Sequence, residues 1–127
     1  MIMQHHACGR PVVLVVEDEV LIRWTAVAII EQAGFDVVEA GTGIEAISVL
    51  EKRGDIRTVF TDIEMPGSIN GIQLAHLIRT RWPSIGIMAT SGQLRLREDD
   101  LPAGARLLHK PYAVAHLTDT LRELMGP

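Results

Sequence analysis

The chain has 127 residues, 47% of them hydrophobic, which is enough for one domain with a sizeable core and leaves no room for a second. A formal charge of -4 with no basic run excludes a surface built to neutralise phosphate backbones, so no nucleic-acid partner is expected. The single cysteine, Cys8, excludes an intrachain disulfide; the polar opening MIMQHHACGRP excludes a signal-peptide core, and no apolar run approaches the roughly 18 residues of a membrane helix.

Cytoplasmic localisation without membrane contact is therefore expected. Residues 1–10 read as a flexible tail ahead of one domain over 11–125. His5 and His6, which could suggest a metal, are read as part of that tail.

In chain order, VVLVV (12–16) is continuously apolar, as in a strand buried on both faces of a sheet. Leu21, Trp24, Thr25, Ala28 and Ile29 follow at helical spacing and predict the inward face of a helix that Gly34 ends. FDVVEA (35–40) predicts a second strand, and residues 44–52 a second helix with Ala46, Ile47 and Leu50 inward. TVFTD (58–62) is a third strand, which Pro66 and Gly67 prevent from continuing. Gly71, Leu74, Ala75, Ile78 and Trp82 share one face of a third helix closed by Pro83, and Trp24 and Trp82 are both read as core. IGIMATS (85–91) is a fourth strand. Residues 93–105, with RLREDD, Pro102 and Gly104, predict a short or irregular helix. ARLLH (105–109) is a fifth strand, and Val114, Leu117, Leu121 and Leu124 mark a final helix.

Strands alternating with helices imply right-handed βαβ units and an α/β, doubly wound, five-stranded parallel sheet with helices on both faces. Function in such sheets collects at the carboxyl ends of the strands. Glu17, Asp18 and Glu19 stand at the first of these ends, Asp62 at the third, Thr90, Ser91 and Gly92 at the fourth, and His109, Lys110 and Pro111 at the fifth. Glu19 reads as a helix-start residue favoured by the helix dipole. Carboxylates gathered in a small space repel one another unless a cation separates them. Oxygen ligands without His or Cys favour Mg²⁺, which commonly accompanies phosphoryl groups. A carboxylate can itself be the nucleophile in phosphoryl transfer, and Asp62, alone on its strand end, is the natural candidate.

VLVVEDE, TDIEMPGSINGIQLA, ATSG and HKPY together resemble the receiver domain of two-component response regulators, a flavodoxin-like fold, over residues 11–125. The resemblance implies that Asp62 accepts a phosphoryl group from a phosphohistidine on a sensor histidine kinase or histidine phosphotransfer protein. It implies that Asp18 ligates Mg²⁺ directly and Glu17 directly or through water, with Asp62 and the backbone carbonyl of Glu64 completing the set. Lys110 would contact the phosphoryl oxygens and Ser91 would hydrogen-bond them; Thr90 is its rival. The Glu64 side chain stands where the family tunes phosphoryl lifetime, and the Lys110–Pro111 bond is expected to be cis. The protein so described is no enzyme beyond its own phosphotransfer and dephosphorylation. With no output domain following, it is expected to act alone on a downstream protein target, with homodimerisation left open.

Two departures from the family bear on the switch. Leu107 stands three residues before the lysine, where most receivers carry an aromatic, and the span from Ser91 to Lys110 is short. A Mg²⁺-dependent small-molecule phosphatase or phosphotransferase would need a cap for which there is no insertion, although Glu64 could serve as its acid. A flavodoxin-like cofactor binder would need a Gly, Ser and Thr-rich loop where three acids stand. A receiver-like scaffold that never accepts phosphate would have little use for the acidic, hydroxyl and lysine set.

Overall fold

The computed structural model describes residues 9–126, so the histidine pair, Cys8 and most of the expected tail lie outside the described residues. Five strands alternate with helices: β1 (Val12–Val16), α1 (Val20–Gln32), β2 (Asp36–Ala40), α2 (Gly43–Lys52), β3 (Ile56–Asp62), α3 (Gly71–Arg81), β4 (Gly86–Ser91), β5 (Arg106–His109) and α4 (Val114–Met125). All strand pairs are parallel, in the order β2-β1-β3-β4-β5. The strand–helix alternation thus yields the expected sheet, with β3 and its terminal Asp62 in the middle.

The period of two along each strand divides the core. Leu14, Val16, Val59, Ile87 and Leu107 face Ala46 and Leu50 of α2 and Leu74, Ala75 and Ile78 of α3. Val13, Val15, Phe60, Met88 and Leu108 face Ala26 and Ile30 of α1 and Leu117 and Leu121 of α4. Local chemistry sets the starts of α2 and α3. Thr42 accepts the Glu45 N–H at 3.0 Å while the Glu45 carboxylate accepts from Gly41, and Asn70 and Gln73 form a reciprocal capping box on α3. Gly34, with φ of 102°, ends α1 in a conformation a side chain would resist.

Two expectations about helix faces are corrected. Leu21 (75% exposed), Trp24 (57%), Thr25 and Ala28 point outward from α1, and the buried face carries Ala26 and Ile30 with Ile29 half-buried beside them. The reason is that apolar residues ring the whole helix, so spacing alone selects no face. Val114, at the start of α4, is also exposed. Trp82 is half-buried against the core, with the Arg81 guanidinium 4.5 Å from its ring centroid.

Between β4 and β5 the only helical turn is a 3₁₀ segment, Glu98–Asp100. The Arg97 N–H donates to the Asp100 carboxylate at 2.9 Å, and extended Leu101 then leads into Pro102, which stops propagation. The segment is tied down at points. Leu101 and Ala105 are buried, the Leu107 N–H donates to Glu98 at 3.1 Å, and ring nitrogens of His109 and His76 meet the carbonyls of Leu96 and Asp100. Among the described residues no helix is long and apolar enough to cross a membrane.

Candidate functional site at the strand ends

Because β1 and β3 are paired in parallel, their last residues rise to the same rim. Glu17 and Asp62 are each only 6% exposed, Asp18 is half-buried, and carboxylate oxygens of all three lie within 4.8 Å of one another. Local bonds hold this arrangement. Glu17 accepts the Glu19 N–H at 3.0 Å and the Arg23 guanidinium donates to the Glu17 carbonyl at 2.9 Å; Glu19 takes the N-cap position of α1 without a side-chain capping bond.

Lys110 enters from the end of β5. Its N–H donates to the Ser91 carbonyl at 2.8 Å, its bond to Pro111 is cis, and its ammonium lies 2.9 Å from Asp62 Oδ1. The ion pair is one-third exposed on the lysine side and nearly closed on the aspartate side. Thr90 is in register with Asp62 and shares its face, lining with Glu17, Ile22, Lys110 and Tyr112 a cavity of about 20 Å³. Ser91 projects to the opposite face, the reverse of the expectation that Thr90 would be the hydroxyl turned away. There its hydroxyl donates to the Glu64 carboxylate at 2.6 Å.

The electrostatics follow from crowding. Burial, and then the Asp62 charge, push the Glu17 carboxyl up, against the pull of the Glu19 N–H. Burial also pushes Asp62 up, Glu64 adds to this, and Lys110 opposes it. For Lys110 burial acts downward, but the hydrogen bond to Asp62 and the charges of Asp62, Glu17 and Glu64 together raise it. Two of the three clustered carboxyls thus hold their protons more tightly than usual, the strain a bound cation would relieve. The donor set is oxygen alone, so a hard ion such as Mg²⁺ fits it.

Glu17, Asp18, Asp62 and Lys110 thus meet at the rim, while the Ser91 hydroxyl is turned to the other face, onto Glu64. The Glu64 side chain bridges to β4, its other oxygen accepting the Gly92 N–H at 3.1 Å. Its position two residues past Asp62 was the only sequence signal, and it gave no direction for the side chain.

A five-stranded parallel sheet with an acidic trio, a hydroxyl pair and a lysine at its carboxyl edge defines a receiver. The response regulator receiver domain model matches residues 13–122, and the chain belongs to that family. It is 33% identical over 124 residues to the sensor kinase CckA of Brucella abortus, covering 92% of this chain but 13% of that protein. It is 32% identical over 115 residues to the response regulator receiver protein CpdR of the same organism, covering 88% of this chain and 92% of CpdR. The fold matches the crystal structure of response regulator TrrA from Thermotoga maritima in complex with Mg²⁺–BeF, with a TM-score of 0.79 and 26% identity over 89% of this chain and 97% of that one.

Proposed function

We propose that this receiver takes a phosphoryl group from a phosphohistidine onto Asp62. The observation that carries the reading is the placing of one buried carboxylate, Asp62, between an ammonium at 2.9 Å and two further carboxylates within 4.8 Å. An Asp62 oxygen attacks phosphorus; the P–O bond forms as the P–N bond to the donor histidine breaks, and that nitrogen regains a proton. Lys110 would then hold phosphoryl oxygens in place of the carboxylate it now contacts, and Ser91 would donate to another. Glu17, Asp18, Asp62 and the Glu64 backbone carbonyl would hold Mg²⁺, which supplies positive charge for the transferring group. That TrrA, a response regulator of the same fold, is seen in complex with Mg²⁺–BeF supports Mg²⁺ as the ion.

The donor, a sensor histidine kinase or histidine phosphotransfer protein, must bring its histidine against the rim. Exposed Val20, Leu21, Ile22 and Trp24 of α1 offer an apolar surface beside Asp62, with Ile22 lining the same cavity. The output is contact with a downstream protein in the cytoplasm, and turnover is limited to the protein's own phosphorylation and dephosphorylation.

Incubation with acetyl phosphate and Mg²⁺ followed by intact mass tests the reading. One phosphoryl increment is expected, lost with a chelator and in Asp62→Asn; an adduct that survives either would overturn it.

A further inference from the structure

A hydroxyl has one proton to donate, and in this structure Ser91 gives it to Glu64. The Glu64 carboxylate spans the gap between the loop after β3 and the end of β4 with both oxygens, Oε2 on the Ser91 hydroxyl at 2.6 Å and Oε1 on the Gly92 N–H at 3.1 Å. Ser91 is fully buried and its oxygen in turn accepts the Gln93 N–H at 2.9 Å. Residues 91–93, the lead into the segment that lacks an α-helix, are thus anchored through one carboxylate and one hydroxyl.

Resting on the reading that Asp62 receives the phosphoryl group, we propose that the Glu64 side chain is an internal stand-in for the phosphoryl oxygens, holding Ser91 and Gly92 until phosphorylation takes Ser91 away from it. Both groups are anionic and present oxygen acceptors, and Glu64 now holds the hydroxyl that a phosphoryl group on Asp62 would draw. They compete for it. Ser91 cannot donate to the phosphoryl group without abandoning Glu64, and when it turns, its hold on the Gln93 N–H changes with it. Glu64 is a positioning residue in this scheme: it sets how much of the mimic's or the phosphoryl group's binding is spent on freeing Ser91. It also ties phosphorylation to the chain that follows β4, through Ser91, Gly92 and Gln93.

The exchange is measurable by titrating beryllofluoride with Mg²⁺ into the wild type, Glu64→Ala, Ser91→Ala and the double variant, with backbone NMR spectra verifying the fold of each. A hydrogen bond to a charged group corresponds to about tenfold in affinity or more. Glu64→Ala should therefore tighten mimic binding about tenfold when Ser91 is present and far less in the Ser91→Ala background. Glu64→Gln, which keeps one acceptor, should fall between. In mimic-free protein the Gly92 amide proton should move upfield in Glu64→Ala. An equal gain in both backgrounds would mean that Glu64 acts by charge alone and would overturn the proposal, as would an unmoved Gly92 resonance. Failure of all the variants and of the wild type to bind the mimic would instead overturn the phosphoacceptor reading, and the stand-in role with it.

Discussion

A Cβ placed on Gly71 would stand 2.3 Å from the carbonyl oxygen of Asp62 and 2.5 Å from the Cα of Ile63. The first turn of α3 is laid directly on the end of β3, and the Gly71 N–H donates to the Ile63 carbonyl at 3.0 Å. Both obstacles are backbone, so neither can swing aside. Gly71→Ala is expected to cost about 1–3 kcal/mol of stability, the range for overpacking, measured by urea denaturation. It should also slow phosphorylation by acetyl phosphate, since the displaced backbone carries Asp62.

The strand ends were legible because each is fixed by a short apolar run meeting polar residues, which locates Glu17, Asp18, Asp62 and Lys110 without knowledge of any loop. Parallel pairing then brings those ends together by topology alone. The choice between Thr90 and Ser91 needed the register, which sets Thr90 level with Asp62 and turns Ser91 to Glu64. The face of α1 was misread because Leu21 and Trp24 match the helical period as well as Ala26 and Ile30 do. The bridge from the Glu64 side chain to Ser91 and Gly92 was beyond reach for a different reason. Its direction depends on loop backbone between β3 and α3, where no periodicity operates.

That misreading yields a contrast in stability. Leu21→Ala and Trp24→Ala, at exposed positions, should change stability by no more than about 0.5 kcal/mol. Ile30→Ala removes a fully buried side chain and should cost about 2–5 kcal/mol. Chemical denaturation of the three variants would check it, and a large loss at Trp24 would contradict the outward face.

The raised carboxyls give Mg²⁺ binding a pH signature. Glu17 and Asp62 bind protons more tightly when folded than when unfolded. Their contribution to the metal-free fold is thus fully present below the ordinary carboxylate range and lost as pH rises through the raised values. Mg²⁺ offsets that loss only where the groups are ionised. The increase in Tm on adding Mg²⁺ should therefore be larger at neutral pH than in acidic buffer. The raised Lys110 acts in the other window, its contribution present below the ordinary lysine value and lost in strong alkali.

Lys110→Ala should leave the carboxylate trio in place but remove the ammonium 2.9 Å from Asp62. With one stabilising partner of the transferring group gone, the rate of phosphorylation by acetyl phosphate is expected to fall about a hundredfold, followed by intact mass against time.

Binding of beryllofluoride and Mg²⁺ should alter amide exchange over residues 92–108 and into α4 more than in the loop after Asp62. The short 3₁₀ turn and its few anchors make this the least regular stretch of the domain. A Leu107 already buried has little to gain by moving, so the change is expected in order and packing of the segment, with no side-chain flip.

The margins of the sheet carry a consequence for how the protein meets copies of itself. On the β2 side Asp36 lies 3.6 Å from Arg10 and Glu39 2.9 Å from Arg23; on the other side the four-residue β5 begins at Arg106, paired with Glu98 at 3.4 Å and Glu123 at 2.6 Å. An added strand would have to lie along charged side chains that already have partners, and on β5 it would find a ladder too short to be worth the desolvation. Both margins thus discourage edge-to-edge growth of the kind that seeds aggregates. Self-association, where it occurs, is left to the helical faces.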